Sequence, residues 1–394
     1  MRIWIENPFD TLPFEGGRPQ RYYLMSAAFA RAGHKVVYWT SDFNHALKRR
    51  RELPSAAISK LPFAVETVPT PPYARNVGLA RVLSHRAYAR RWSELAKQYA
   101  RGYGKPDVIV ISTPPLATGD VALKLAKKYG AKLVVDVMDA WPETFYRLLP
   151  FGFRWLGPVL FAPARAAARR ALRGADLVTG VASRYARRAT AAGAKGFHLA
   201  YHGIEPGPAP APRAAGDGGL RLAYVGSMGR TYGLETVIRA VAALPDTRLE
   251  LAGGGAQRPA LEALAADLGC AGRVRFRGFM DEIGLMSLLA ASDVGVVPMA
   301  SDSCVGVPYK FGDYTRAGVA IVSSLAGESA DLLTAYGAGL RYLPDNVDDL
   351  VSALRRLRPR LASAQAGARR LAEEKFDAGA IYTEYVRKVQ ELCQ

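Results

Sequence analysis

One segment near the carboxyl end of the chain has residue types suited to an anionic, hydroxylated ligand. Residues 305–324 read VGVPYKFGDYTRAGVAIVSS, with a proline at the start of a predicted helix. The amides of Gly306 and Val307, which precede that proline, make an anion-binding end. Lys310 adds a full charge for phosphate, and Asp313 one turn on can accept both hydroxyls of a ribose. A plain i,i+3 ion pair would contribute only about 0.3 kcal/mol and would leave the rest of the segment unexplained.

Two glycine-containing loops lie where a strand is predicted to lead into a helix. The first carries Gly16 and Gly17, and its spacing is not G-x-G-x-x-G, which disfavours a dinucleotide. The second, VGSMGRTYGLE, has four candidate phosphate contacts: Gly226, Ser227, Gly229 and Arg230. Bare backbone can approach a phosphate at a helix N-terminus, and an arginine can neutralise a diphosphate leaving group. Taken alone, a Gly-Gly pair is more often only a turn. A flexible loop with one exposed arginine explains the second loop about as well as a phosphate site does.

A third candidate site follows an apolar strand at residues 136–145, DVMDAWPETF. Asp139 and Glu143 flank Trp141, which predicts an aromatic face with carboxylates beside it. Such a face suits a sugar, because carboxylates accept hydroxyl hydrogen bonds and aromatic rings stack on C–H faces. A strand end followed by a capped helix with proline in its first turn is the structural alternative, and both interpretations can hold together.

Several other kinds of site have no signature in the sequence. No Cys/His metal spacing, G-x-S-x-G elbow, P-loop or D-x-D motif occurs, and the five histidines are scattered. No nucleic-acid module matches. The three cysteines show no paired spacing, which indicates reduced thiols in a cytoplasmic protein. We therefore expect no metal site, no cofactor and no nucleic-acid partner.

The positive charge is confined to one half of the chain. The 394 residues carry a net charge of +18, and residues 1–205 hold 32 Lys and Arg against 14 Asp and Glu. The remaining residues hold 21 of each. The basicity therefore belongs to a surface or site of the first half, with nucleic acid, anionic lipid or a phosphate-bearing substrate as candidate partners. No apolar stretch reaches the length of about 20 residues that spans a bilayer.

The elements that position these residues alternate between strand and helix, which predicts an α/β fold with doubly wound parallel sheets. Residues 206–219, PGPAPAPRAAGDGG, are predicted to be a semi-rigid linker. This divides the chain into a basic domain at 1–205 and a second domain at 220–378. A last helix at 379–394 is expected to pack back on the first domain. Residues 42–54 are expected to form a basic loop, and about 146–173 an amphipathic helical region.

Quoted in chain order, these motifs resemble a retaining glycosyltransferase of family 4. The second half matches in YVGSMGRTYGLETVIRAVAALP, LELAGGGAQRPALEALAADLG, VRFRGFM, LLAASDVGVVPM and KFGDYTRAGVAIVSSLAGE. The first half matches in EGGRPQRYYLMSAAFARAGHKVVYWTS and in DVMDAWPE, which resembles the D-x-W-P-E of a branch that assembles bacterial surface polysaccharides. The resemblance implies the GT-B fold, in which two Rossmann-like domains face a cleft.

The resemblance also implies roles for particular residues. Asp313 falls at the second glutamate of the family's Glu-x7-Glu motif, which grips the ribose, whereas Val305 replaces the first, sugar-holding glutamate. Ser227 and Tyr232 replace the family's basic pair. Three further roles follow by analogy: Arg230 and Lys310 for the diphosphate, backbone near Phe279 and Met280 for the nucleobase, and Asp139 for sugar hydroxyls.

The activity implied is retaining, metal-independent transfer of a sugar from a nucleotide-diphosphate donor, with a UDP-sugar favoured. The leaving diphosphate would assist deprotonation of the acceptor, so catalysis would rest on electrostatic stabilisation and positioning. The basic domain would bind a saccharide or polyprenyl-diphosphate-linked acceptor at the anionic inner-membrane surface. Three stretches suit that surface: residues 48–51, 86–91 and 151–173.

Other functions remain open on the sequence. A nucleotide-sugar epimerase or a phosphorylase can use the same two-domain fold, although the expected cleft carboxylates and pyridoxal-binding lysine context are not evident. A non-catalytic binding or scaffold protein, derived from a transferase by loss of the first glutamate, belongs to a different class.

Overall fold

The computed structural model describes residues 1–16, 18–205, 219–229 and 231–394. These form two compact units, one of residues 1–203 together with 378–394 and one of residues 204–377. The predicted linker, except for Gly219, lies outside the described residues, as do Gly17 and Arg230.

The first domain is built on a seven-stranded parallel sheet with the order β5-β2-β1-β6-β7-β8-β9. Its strands are β1 (Arg2–Glu6), β2 (Lys35–Ser41), β5 (Ala64–Val68), β6 (Val108–Thr113), β7 (Lys132–Val137), β8 (Leu177–Gly180) and β9 (Phe197–Leu199), with β3 (Phe43–Asn44) and β4 (Arg49–Arg50) as a separate antiparallel pair. Its helices are α1 (Arg21–Arg31), α2 (Ser55–Ile58), α3 (Leu79–Tyr103), α4 (Ala117–Tyr129), α5 (Gly157–Leu160), α6 (Ala162–Gly174) and α7 (Arg184–Ala192).

The second domain has a six-stranded parallel sheet with the order β12-β11-β10-β13-β14-β15. Its strands are β10 (Leu220–Val225), β11 (Thr247–Ala252), β12 (Val274–Gly278), β13 (Val294–Val297), β14 (Ala320–Ser323) and β15 (Gly339–Arg341). Its helices are α8 (Leu234–Ala243), α9 (Arg258–Asp267), α10 (Glu282–Ala290), α11 (Tyr309–Arg316), α12 (Glu328–Tyr336), α13 (Val347–Leu357) and α14 (Leu361–Leu371), and α15 (Ala378–Glu391) then belongs to the first domain.

The predicted fold class, two α/β domains with parallel sheets, is confirmed. The central strands are short apolar runs buried on both faces, as parallel sheets covered by helices require. The strand order reverses between β1 and β6 in the first sheet and between β10 and β13 in the second. Ligands of such sheets bind beyond the carboxyl ends of the strands at these reversal points.

The last helix, α15, completes the core of the first domain. Its buried residues recur every three to four positions along the chain: Ala378, Tyr382, Tyr385, Val386 and Val389. This spacing forms one apolar stripe on a helix. The Tyr385 ring lies 6.2 Å from that of Phe29 on α1, in an edge-to-face arrangement.

A fully buried ion pair lies beneath α1. The guanidinium of Arg21 donates to both carboxylate oxygens of Asp136 on β7, at 2.7 and 2.8 Å, and to the carbonyl of Ala200 at 2.9 Å. The hydroxyls of Tyr22 and Thr179 also donate to Asp136, at 2.7 and 2.5 Å. Although burial alone would raise it, the pKa of Asp136 is lowered because Arg21 and these donors stabilise the carboxylate. The pair therefore joins helix, sheet and the chain beyond β9.

Two sequence predictions need correction. Residues 143–174 do not form one helical region but two 3-10 segments, Glu143–Leu148 and Phe151–Leu156, followed by α5 and α6. The predicted basic loop contains the β3/β4 pair, and its Arg51 is buried against Glu15 rather than solvated. Prolines and glycines interrupt the helical region expected at about 146–173. In the basic loop, Arg51 is buried because it pairs with the buried carboxylate of Glu15.

Removing the carboxylate of the buried pair should destabilise the first domain. Asp136→Ala leaves the Arg21 guanidinium buried without a counter-charge, so we expect a loss of about 3 kcal/mol or more of unfolding free energy. Asp120→Ala is the control, because Asp120 pairs with Arg170 on the surface, with 45% and 55% of the two side chains exposed. It should cost less than about 1 kcal/mol. Equal urea midpoints for the two variants would contradict the stabilising role of the buried pair.

Candidate active site

Lys310 lies on the first turn of α11, beyond the carboxyl end of β13. Lys310 is only 8% exposed, and its ammonium makes no hydrogen bond or ion pair with any residue that the structure describes. The ammonium instead lies over two aromatic rings, 4.1 Å from the centre of Tyr224 and 4.7 Å from that of Tyr232. Within the described ranges, the i,i+3 ion pair with Asp313 that could have explained this segment is not formed.

Burial without an anion changes the charge state of Lys310. Desolvation lowers the pKa of its ammonium to about 7, and Asp313 opposes this only in part. Because this pKa lies near neutrality, the full charge predicted for Lys310 depends on pH. An anion placed beside the ammonium would favour its charged form.

Asp313 and the turn before α11 lie around the same helix start. Asp313 is 6% exposed, and Val307 is 4% exposed. The carbonyl of Gly306 accepts a 2.6 Å hydrogen bond from the hydroxyl of Ser329 on α12. Helix α11 begins after Pro308, whose carbonyl accepts a hydrogen bond from the first-turn amide of Phe311 at 3.0 Å. The structure thus brings Lys310, Asp313 and the turn containing Gly306 to one helix start.

The glycine loop after β10 borders this helix start. A side chain added at Gly226 would meet the Lys310 ammonium at 3.4 Å, so the loop backbone lies against that group. The carbonyl of Ser227 accepts a 2.6 Å hydrogen bond from the hydroxyl of Tyr224, which holds the loop beside the ring. Gly229 lies further along the loop with open space around it.

A second glycine turn, residues 253–255, supports the first and was not among the predicted site residues. Its Gly254 carbonyl accepts a hydrogen bond from the amide of Met228 at 2.8 Å. Gly253 has a φ of +123°, and a side chain there would collide with the carbonyl of Gly226. The run of three glycines after a strand was the signal that could have identified this turn.

Phe279 and Met280 follow β12 at the same edge of the sheet. Phe279 is 84% exposed and Met280 is 36% exposed. A side chain added at Gly254 would lie 3.3 Å from the Phe279 ring, so the ring borders the second glycine turn. An exposed aromatic ring beside bare backbone offers a stacking surface for a planar group.

The first-domain candidates lie in a more enclosed setting. Asp139 accepts hydrogen bonds from the amide of Ala140 at 2.7 Å and from the indole nitrogen of Trp141 at 3.1 Å, and burial raises its pKa. Trp141 is 8% exposed and stacks on His85, with ring centres 5.9 Å apart. The expectation that Trp141 presents an open aromatic face is therefore wrong, because its ring packs inside the domain and its N–H caps Asp139.

Gly16 lies in the loop between β1 and α1. It has a φ of +86°, ends the 3-10 turn Pro13–Glu15, and has open space where a side chain would be. Glu15 anchors this turn through its buried ion pair with Arg51 and a hydrogen bond from Asn44 at 2.9 Å. The predicted partner Gly17, like Arg230 of the other loop, lies outside the described residues.

Two kinds of feature are absent from the described residues. No group of three or more His, Cys, Asp or Glu side chains there could hold a metal ion. Within those same ranges, no helix has both the length and the apolar character needed to cross a bilayer.

Both domains match families of known proteins. Residues 16–201 match the glycosyl transferase 4-like domain, and residues 219–358 match the glycosyl transferases group 1. Over 74 residues the chain is 49% identical to the lipopolysaccharide core biosynthesis glycosyltransferase LpsE of Rhizobium meliloti (strain 1021). That match covers 18% of this chain and 21% of the relative, so it spans only about a fifth of the relative's length.

Solved structures are similar over almost the whole chain. Sucrose-phosphate synthase from Thermosynechococcus elongatus is 18% identical with a TM-score of 0.76, covering 99% of this chain and 98% of that one. HepE of Anabaena, solved in complex with UDP, is 15% identical with a TM-score of 0.69, covering 99% and 100%. Identity this low shows the fold alone. Each of the two domains therefore belongs to a glycosyltransferase family, and the whole chain has the two-domain GT-B fold of these solved structures.

Proposed function

We propose that the protein transfers a sugar, with retention of configuration, from a nucleotide-diphosphate sugar to a saccharide or lipid-linked acceptor in cell-surface polysaccharide synthesis. The observation that carries the proposal is the ammonium of Lys310, which is buried against two tyrosine rings and makes no ion pair with any described residue. An uncompensated buried ammonium is costly, and a diphosphate at the start of α11 would supply the missing charge. The lipopolysaccharide role named for LpsE supports the class of product.

The donor would bind the second domain. Its diphosphate would contact Lys310 and the backbone of the loop containing Gly226, with Arg230 as a further cation. Its ribose hydroxyls would donate to Asp313, and the base would lie at Phe279 and Met280. UDP is the favoured nucleotide, since the structurally similar HepE was solved with it. No glutamate stands at Val305, so the backbone of Gly306 and Val307 would contact the sugar.

Transfer would then depend on charge and position. The bond between the anomeric carbon and the diphosphate oxygen breaks with its electron pair on the diphosphate, which Lys310 stabilises. The acceptor hydroxyl oxygen bonds to the anomeric carbon on the same face, and its proton passes to the departing phosphate oxygen. No metal enters this scheme, which accords with the lack of a D-x-D motif. Asp139 would orient sugar hydroxyls with the lone pairs that its own turn leaves available.

The first domain would bind the acceptor at an anionic membrane surface. Five large apolar side chains between residues 148 and 160 are more than half exposed: Leu148, Phe153, Trp155, Val159 and Leu160. Exposed arginines of α6, such as Arg165 and Arg169, follow them in the chain. Apolar side chains beside cationic ones are typical of a surface that lies in the lipid interface.

Loss of nucleotide binding on removing Asp313 is the first test of this proposal. UDP should raise the thermal unfolding midpoint, and Asp313→Ala should weaken UDP binding about tenfold or more, because the ribose loses a charged acceptor. In the wild type, 2′-deoxy-UDP should bind more weakly than UDP, whereas the variant should bind the two alike. If the variant still discriminates between them, Asp313 does not contact the ribose. If no nucleotide among UDP, GDP and their sugars binds, the transferase proposal fails.

Nucleotide affinity should also depend on the charge of Lys310. The free ammonium has a pKa of about 7, and a bound diphosphate would raise it. UDP affinity should therefore be greatest below that pKa and fall by up to about tenfold per pH unit as the pH rises above it. Titrations between about pH 7.5 and 9 avoid the phosphate's own ionisation, which lies near pH 6. Lys310→Gln should bind UDP weakly, and its UDP affinity should not fall with pH over this range. If the affinity of the variant falls with pH as steeply as that of the wild type, another group is responsible for the pH dependence.

Membrane association should depend on the exposed apolar side chains. Trp155→Ser combined with Val159→Ser should lower binding to phosphatidylglycerol vesicles about tenfold or more, because two large apolar side chains no longer enter the interface. Leu343→Ser is the control, since Leu343 is 49% exposed in the second domain. Cosedimentation at low salt measures the effect. If the two variants bound the vesicles equally, Trp155 and Val159 would not contribute to membrane binding.

A further inference from the structure

Two half-buried cations lie close together in the first domain. Lys48 lies in the chain between β3 and β4, and Arg81 lies in the first turn of α3. Both are half-buried, and neither has a carboxylate within ion-pair distance in the described part of the chain. They share one aromatic ring, since the Lys48 ammonium lies 4.8 Å and the Arg81 guanidinium 5.9 Å from the centre of Tyr73.

The cations are held by neutral groups. The Lys48 ammonium donates to the side-chain oxygen of Asn76 at 2.5 Å and lies 3.2 Å from a ring nitrogen of His45. Arg81 donates to the backbone carbonyl of Asn76 at 2.6 Å and to His85 at 3.4 Å. The guanidinium also lies 4.8 Å from the ring centre of Trp141. These contacts hold the two positive charges near one another. Because every partner is a neutral group, neither charge is neutralised.

Nearby carboxylates are already committed elsewhere. Asp42 pairs with Arg50 at 2.5 Å, and Glu15 with Arg51. Asp139 contributes a weak attraction to Arg81, but its oxygens accept from Ala140, Trp141 and Thr144. Consequently, desolvation and the charge of Arg81 lower the pKa of Lys48 to about 8. Burial and the charge of Arg81 lower the pKa values of His45 and His85 to about 3, so both imidazoles are neutral at physiological pH.

The position of the cluster suits a ligand. Its residues follow the carboxyl ends of β2, β5 and β7 and the start of α3, at the edge of the parallel sheet where ligands bind. Two cations, two neutral imidazoles and the exposed side-chain amide of Asn76 provide several donors, and the cluster contains no carboxylate. A phosphate group, with its charge and oxygen acceptors, matches that set.

We propose that Lys48 and Arg81 form a binding site for a phosphate or diphosphate group carried by the acceptor. Arg81 donates to the phosphate oxygens from the guanidinium face not used by Asn76, and Lys48 supplies the second charge. The neutral histidines hold the two cations in place and offer their own N–H groups. The anion site stands on its own contacts, and only its assignment to the acceptor rests on the proposed function.

Trp141 provides a local reporter for the test. Its indole N–H donates to Asp139, and its ring contacts Arg81, so its resonance should shift when Arg81 engages an anion. The chain has five tryptophans, and Trp141→Phe identifies the relevant indole signal. Pyrophosphate is the probe, titrated into protein carrying Lys310→Gln so that the second domain's cation does not contribute. UDP binding to the wild-type protein is measured separately, so a failure of the proposed donor site can be told apart from a failure of the first-domain anion site.

Pyrophosphate should shift the Trp141 indole signal, and Lys48→Gln or Arg81→Gln should each weaken that binding by about tenfold, the loss of one charged hydrogen bond. The matched controls are Lys60→Gln and Arg101→Gln, which remove exposed charges of the same residue types elsewhere in the domain, the latter from the far end of α3. They should change the affinity by less than about twofold. Arg81→Lys keeps a charge and should retain part of the binding, which separates anion recognition from misfolding.

Two further titrations distinguish the source of the phosphate. A soluble hexose phosphate and phosphatidylglycerol vesicles are compared for the same indole shift. A shift with the sugar phosphate assigns the site to a phosphorylated saccharide, and a shift with vesicles alone assigns it to a lipid-borne phosphate. The proposal is overturned if none of the probes shifts the signal, or if Lys48→Gln and Arg81→Gln bind pyrophosphate as tightly as the controls.

Discussion

Every strand in the two large sheets runs parallel to its neighbours, and both candidate sites depend on that constraint. Parallel strands place all their carboxyl ends at one edge, so the loops that follow them meet there although they are distant in sequence. In the second domain this brings Gly226, Gly254 and Lys310 together. In the first domain it brings the turn after β7, with Trp141, beside residues that follow β2 and β5.

At each of these edges the unusual feature is a cation that forms no ion pair with a carboxylate of the described part of the chain. Burial lowers the pKa of Lys310 and Lys48, because a charged ammonium loses hydration that aromatic rings replace only in part. By contrast, Arg21 and Arg51 are buried against Asp136 and Glu15, where they hold elements together. The same residue types therefore serve stability when a carboxylate is present and suit an anionic ligand when it is absent.

The sequence predicted the alternation of strands and helices, the two α/β domains and the helix start at Lys310 and Asp313. It did not predict α3, whose 25 residues mix arginines with apolar side chains, or the broken region between Glu143 and Gly174. Periodicity cannot reveal that Trp141 turns inward, since an aromatic residue after a strand suits a binding face and a core equally. Nor does a run of basic residues indicate which arginine will find a buried carboxylate, as Arg51 does.

The sequence by itself determined the fold class and predicted a candidate ligand site in the second domain, because the apolar periodicity, the glycine loops and the Pro-x-Lys-x-x-Asp spacing are local properties. Only the tertiary structure decided the state of each charge. Lys310 meets Tyr224 and Tyr232, and Lys48 meets Arg81 across Tyr73, through contacts between residues far apart in the chain. Solvation and pairing are set by such neighbours, and a linear pattern does not contain them.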